Sequence, residues 1–166
     1  MHWRRKALML VSLTLGALMH ACAPSVGPRT LAAVVAYESG GRAAAISDNS
    51  ARRSYYPAST ADAEELATRL LGSGHDLDLG LMQINVRNVR RLRLTLRDAF
   101  DPCANLAAGS RILDQDYARA VRRFGPGQRA LFHALSAYNA GTYWSGTGYA
   151  RNVYRMAKRL RFAPQR

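Results

Sequence analysis

Glu38 is the residue whose type and position most suggest chemistry. If Pro28 to Glu38 is a helix, Leu31, Val34, Val35 and Glu38 fall at i, i+3, i+4 and i+7. That spacing places them on one face, the apolar one. Ser39, Gly40 and Gly41 then end the helix, so the carboxyl group sits in its last turn. Burial disfavours the charged carboxylate, and the partly negative C-terminal end of the helix opposes it further. A glutamate kept protonated near neutral pH is a general acid. The plainer reading is a solvated glutamate at a helix end, which a small rotation of the helix would produce.

Two further stretches combine polar and apolar residues in an unusual way. Gly80 to Asn85 carries Met82, Gln83 and Asn85 directly after a loop. On its own it reads as a buried helix start whose amides bond local backbone. Ala137 to Gly141 places Tyr138 and Asn139 at a helix end, which on its own reads as a C-cap. Metal chemistry is not expected. His2, His20, His75 and His133 are scattered, and no Cys-x-x-Cys or His-x-x-x-His pair occurs. No glycine-rich phosphate loop is present either, so no cofactor is expected.

The elements that must position these residues follow from caps and breakers. Gly27 and Pro28 start the first helix, with proline at a position whose N–H would lack a partner. Residues 42–58 read as a short hairpin or structured loop around Asp48, Asn49 and Ser50. Ser59 to Asp62 is a capping-box pattern opening a helix with Ala63, Leu66 and Leu70 inside, which Gly72 and Gly74 end. Asp76 to Gly80 reads as loop, and Met82 to Leu92 as containing a helix. Thr95 to Asp98 is a second capping box.

Asp101 and Pro102 then open a longer helix with Leu106, Leu113, Tyr117 and Val121 facing inward, and Gly109 allowing close packing. Gly125 to Gly127 breaks the chain. A helix with Leu131, Ala134, Leu135 and Tyr138 ends at Gly141, and a last one carries Val153, Ala157 and Leu160. The expected fold class is therefore α+β, mostly α, one domain with a small β-hairpin element. There are no internal repeats and no long linker.

The 166 residues suit one domain with a real core. Residues 1–21 look like a secretory signal: Arg4, Arg5 and Lys6 precede an apolar stretch from Ala7 to Leu18, which is short for a membrane span. The small-residue cleavage pattern is poor, so an uncleaved N-terminal anchor is the alternative. Residues 22–166 form the expected domain. The formal charge is +13, and about ten positive charges remain without the leader. Cys22 and Cys103 are the two cysteines, and export favours one disulfide between them. Lipidation of Cys22, or two unrelated buried thiols, are the alternatives. A loop of about 80 residues closed in this way would restrict the unfolded chain by on the order of 4 kcal/mol.

In this order, Glu38 to Gly40, Gly80 to Asn85, Ala137 to Gly141 and Tyr149 resemble the motifs of lytic transglycosylases with the soluble-transglycosylase domain. The resemblance runs over about residues 22–155. It is closest to the specialised members serving type IV secretion and conjugation, with Cys22 to Pro24, Arg53 to Pro57 and Asp101 to Leu106 also similar. The resemblance implies a lysozyme-like fold. It also implies cleavage of peptidoglycan between N-acetylmuramic acid and N-acetylglucosamine, with closure to a 1,6-anhydro end. It makes Glu38 the catalytic residue and assigns substrate contacts to Ser39, Met82, Gln83, Tyr138, Asn139 and Tyr149. Tyr138 or Tyr149 would orient Glu38 or line a sugar groove.

The same resemblance implies a periplasmic location, held by the membrane if the leader stays. Its partners would be peptidoglycan and proteins of a secretion or conjugation apparatus. Asp76 and Asp78 are the candidates for a second carboxylate, which would favour hydrolysis as in a muramidase; loop and helix-cap roles are the preferred reading. The basic groups Arg90, Arg91, Arg93 and Arg97, and Arg151, Arg155, Lys158 and Arg159, suit an acidic wall or partner. A basic wall- or nucleic-acid-binding protein is the non-enzyme alternative, but nucleic acid is not the expected partner, because export opposes it and Glu38 would then go unexplained.

Overall fold

The computed structural model describes residues 15–160. Residues 1–14, most of the expected leader, lie outside the described residues. Residues 15–22 are helical, and no helix among the described residues is long and apolar enough to cross a membrane.

Helix α1 (Pro28–Glu38) has proline in its first turn and buries Leu31, Ala33, Val34 and Val35. Its backbone closes at Ser39, whose N–H donates to the Val35 carbonyl. The chain then enters an antiparallel sheet with β1 (Ile46–Asp48) and β2 (Arg53–Tyr55). Helix α2 (Thr60–Gly72) follows, capped by Ser59, whose hydroxyl accepts from the Asp62 N–H. The expected hairpin is thus real but incomplete. Strand β3 (Leu77–Leu79) pairs with β1, and β4 (Ile84–Asn85) pairs with β3, giving a four-stranded sheet in the order β2-β1-β3-β4.

The sheet overturns one expectation. Residues 77–79, read as loop, are a strand. Leu77 and Leu79 alternate with Asp78, so both leucines enter the core and the aspartate faces the other way. The helix expected within 82–92 is present as α3 (Val86–Arg91); Ile84 and Asn85 ahead of it are used by β4, and the Asn85 side chain caps α3 by accepting from the Arg87 N–H.

Helix α4 (Leu96–Phe100) carries the Thr95–Asp98 capping box in full. The long α5 (Pro102–Phe124) is capped by Asp101 and ends at Gly125. Helix α6 (Gln128–Ala140) ends on left-handed Gly141, and α7 (Thr147–Arg159) completes the described chain. α6 lies along both α5 and α7, and α7 packs against α1. The core runs between these helices and the sheet, with Leu31, Ile46, Leu79, Phe100, Leu106 and Leu135 fully buried. The fold is α+β, mostly α and lysozyme-like.

Cys22 and Cys103 are disulfide-bonded, joining the segment before α1 to the first turn of α5 across 81 residues. At the centre, Asn105 on α5 fixes the turn between β3 and β4. Its Oδ1 accepts from the Met82 N–H (2.8 Å), and its Nδ2 donates to the carbonyls of Leu79 (3.0 Å) and Ala99 (2.7 Å). Only glycine fits at 80. Its φ is +78°, and a Cβ there would lie 2.3 Å from both the Ala99 carbonyl oxygen and the Asn105 amide nitrogen. One helical turn along α5, Gly109 admits Met82, whose sulfur would be 2.4 Å from a Cβ at that position.

Asn105→Ala should therefore lower stability by about 3 kcal/mol, since it leaves three buried backbone groups without their partner. Urea unfolding followed by circular dichroism would measure the loss.

Candidate functional site

Helix α1 delivers Glu38 to the rim of a cavity of about 650 Å³. The cavity is bounded by the end of α1, the sheet, α3, the middle of α5 and the end of α6. Glu38 is half-buried, and its Oε1 accepts a 2.6 Å hydrogen bond from the hydroxyl of Tyr149 on α7. Burial is the largest influence on its carboxyl group and raises the pKa to about 7. The Tyr149 hydrogen bond pulls the other way, and the negative charge of Asp78 adds to the rise. The carboxyl group therefore changes charge near neutrality.

Tyr149 is built to remain a donor. Its own pKa is raised well above 10, first by burial and then by the charge of Glu38. Its ring meets Tyr37 edge to face at 5.2 Å, which fixes it against α1. The start of α7 is held in turn by buried Ser136, which donates to the Thr142 carbonyl and accepts from the Gly146 N–H, both at 3.0 Å. A Cβ at Gly146 would lie 2.3 Å from the Ser136 carbonyl oxygen. The position of the tyrosine thus depends on the contact between Gly146, three residues before it, and Ser136, thirteen residues before it on α6.

Gln83 shares the cavity wall with Glu38. Its backbone is left-handed, with φ +47°, a conformation that non-glycine residues rarely adopt. Its Nε2 donates to the carbonyls of Gly80 (2.8 Å) and Ala45 (3.2 Å), while its buried Oε1 has no protein partner. Such an oriented amide with a spare acceptor suits a ligand N–H or O–H. Tyr138 and Asn139, from the end of α6, line the cavity as well. The Tyr138 hydroxyl donates to the Met82 carbonyl (2.7 Å), which ties α6 to the turn carrying Gln83.

Five of the expected site residues are thus brought together: Glu38, Gln83, Tyr138 and Asn139 at the cavity, and Tyr149 behind the carboxylate. Ser39 and Met82 are placed beneath it instead. Ser39 is buried, and its hydroxyl donates to the carbonyls of Leu81 (2.9 Å) and Val35 (3.1 Å), locking the end of α1 to the Gly80 turn. Met82 is fully buried against Gly109. Both hold the site without facing it.

Asp78, a candidate second carboxylate for which a loop or cap role is the preferred expectation, lines the cavity. Its carboxylate accepts from the Asn49 and Asn85 amides, each at 2.9 Å, and its pKa is raised, chiefly by burial. The signal for it was the Leu77-Asp78-Leu79 alternation. Asp116 and Ile112 are likewise cavity residues that sequence reasoning missed. With Asn105 and Gly109 they form an i, i+4, i+7, i+11 row on α5, a polar-and-small stripe beside the apolar one. His75, a scattered histidine in the sequence, holds the Asp48 carboxylate at 2.6 Å and stands outside this cavity. Among the described residues, no group of three or more His, Cys, Asp or Glu is placed to hold a metal ion.

The arrangement provides one protonatable carboxyl group of near-neutral pKa, a phenol that holds it, and amides able to bond hydroxyl and acetamide groups. Comparison with known proteins agrees with this chemistry. Residues 17–159 match the transglycosylase SLT domain family. The chain is 40% identical over 130 residues to the type IV secretion system protein virB1 of Brucella abortus, covering 78% of this chain and 55% of that protein. It is 38% identical over 141 residues to the protein virB1 of Agrobacterium fabrum, covering 84% and 57%. The chain thus spans little more than half the length of these relatives. No solved structure gives a significant match.

Tyr149→Phe removes the one hydrogen bond that favours the charged form of Glu38, so the Glu38 pKa should rise above about 7. Carbon-13 NMR titration of the glutamate carboxyl groups, assigned with Glu38→Gln, would register the upward shift.

Proposed function

The chain belongs to the transglycosylase SLT domain family, and on that footing we propose that it is a lytic transglycosylase acting on peptidoglycan glycan strands. The observation that carries the reading is the Glu38 carboxyl group, held by Tyr149 and poised near neutral pH at the wall of a sugar-sized cavity. Protonated Glu38 gives its proton to the oxygen bridging N-acetylmuramic acid and N-acetylglucosamine as the C1–O bond breaks. The cationic centre at C1 is then captured by the C6 hydroxyl of the same muramic acid. The Glu38 carboxylate takes the hydroxyl proton and returns to its starting state, and the product carries a 1,6-anhydro ring. No water is consumed.

This scheme needs one carboxyl group rather than two, because the nucleophile is tethered to the sugar and requires little positioning. Gln83 supplies its free acceptor, and Asn139 its exposed amide, to acetamide and hydroxyl groups. Tyr138 walls the cavity. Ser39 and Met82 support the turn beneath. Asp78 favours a second reading, a muramidase in which it activates water. Its two amide donors make it a clamped structural carboxylate and favour the first reading.

The Cys22–Cys103 disulfide suits an oxidising compartment, which supports export to the periplasm. Residues 1–21 would act as a signal peptide or an inner-membrane anchor. The curated relatives are named for a type IV secretion system and for virB1. The role proposed here is accordingly to open the wall locally for a secretion or conjugation apparatus. Basic surface would contact the acidic wall or apparatus proteins, not nucleic acid.

Mass spectrometry of muropeptides released from purified sacculi tests the proposal. Products should be lighter by one water than the reducing-end species, and Glu38→Gln should lower their yield by roughly 10³-fold or more, the scale of general acid–base catalysis. Reducing ends would establish hydrolysis instead, and equal release by Glu38→Gln would remove that residue from the mechanism.

A further inference from the structure

Besides Glu38, Asp78 and the site amides, the cavity is lined by three arginines, Arg87 and Arg91 on α3 and Arg119 on α5, with Asp116 also on α5. Two of these three arginines are committed. Arg87 Nη2 meets Asp76 at 2.9 Å, and Arg119 is ion-paired with Asp116. Arg91 differs. Its Nε donates to the Asn88 amide oxygen at 3.2 Å, and among the described residues no carboxylate stands at ion-pair distance from it. Asp116 is paired with Arg119 and also feels the charge of Arg91, so three arginines stand against two aspartates and one positive charge is left over.

An arginine held by a neutral amide at a cavity wall, with its fork of donors unspent, is suited to a carboxylate, which it can bond through two parallel N–H groups. Sugar rings carry no charge, so a neutral oligosaccharide would leave this guanidinium unused. Resting on the transglycosylase reading above, we infer that Arg91, flanked by Arg87 and Arg119, forms a subsite for a carboxylate borne by the muramic acid residue of the substrate. Two sources on the strand share that chemistry: the stem peptide, and the lactyl group once the peptide has been removed. The subsite would make the enzyme read the substituent on the sugar as well as the sugar.

The α3 face of the cavity supports this geometry. Asn88 and Arg91 are three residues apart, so both project from the same side of the short helix. Asn88 fixes the guanidinium orientation before a ligand arrives, which lowers the ordering cost of binding. Arg91 is exposed and lies outside the core, so its replacement leaves the fold's buried contacts intact.

Steady-state cleavage of three soluble strands tests the subsite: peptide-bearing, peptide-stripped with the lactyl carboxylate free, and stripped with that carboxylate converted to an amide. Arg91→Gln should raise KM about tenfold on carboxylate-bearing strands, with kcat changed far less, as expected when a contact shared by ground and transition states is lost. Arg91→Lys should recover part of it. A penalty on peptide-bearing strands alone assigns the stem peptide, and a penalty that persists on stripped strands assigns the lactyl group. An equal penalty on all three strands, including the amidated one, would overturn the subsite. If the wild type cleaved none of them, the transglycosylase reading would fail separately. Calorimetric affinities of wild type and Arg91→Gln for the same strands would then decide the subsite by the same comparison.

Discussion

A carboxyl group at the C-terminal end of a helix, removed from water, is driven towards its neutral form unless something donates to it. In this molecule one phenol does so. The Tyr149 hydroxyl on α7 reaches Glu38 on α1 at 2.6 Å, and the balance between that bond and burial holds the pKa at about 7. More donors would leave the group a permanent carboxylate, as the capping box does for Asp98, whose backbone and side-chain bonds from Thr95 lower its pKa. Without a donor the balance would shift further towards the neutral acid. A single strong hydrogen bond leaves both charge states accessible, which a residue acting first as acid and then as base requires.

Much of the remaining fold serves to keep that pair in register with the Gly80 turn. Asn105 holds the turn from α5, Ser39 ties it to the end of α1, and Tyr138 ties it to the end of α6. Three helices thus converge on residues 79–82 through buried side-chain-to-backbone bonds, and Gln83 is delivered to the cavity in a left-handed conformation that the turn imposes. Strain of this kind persists only where the surroundings over-determine it. Gly80, Gly109 and Gly146 are the close approaches that let these elements meet.

The helices were legible from the sequence because their signals are local. Pro28, Ser59, Thr95 and Asp101 mark starts, and Gly125 and Gly141 mark ends, each through a cap or a conformation that acts within one turn. The Glu38 position followed from the apolar spacing of α1. The sheet was read only in part. Strands β3 and β4 are two or three residues long, too short for a periodic signal, and β3 pairs with a strand some thirty residues earlier. Local signals alone therefore place Asp78 in a loop, although its leucine neighbours alternate with it. Ser39 and Met82 were grouped with substrate contacts because they sit in the motifs. The motifs combine residues that face the cavity with residues that hold it, and only three-dimensional placement separates the two.

Whether one carboxyl group performs both proton transfers is read from the pH dependence of kcat/KM for strand cleavage, which reports the ionisations of the free enzyme. One group serving twice must begin protonated, so a single falling limb centred near pH 7, with a plateau below it, is expected. A bell-shaped profile, with activity also lost on the acid side as a second carboxyl group is protonated, would contradict it and return Asp78 to the chemistry.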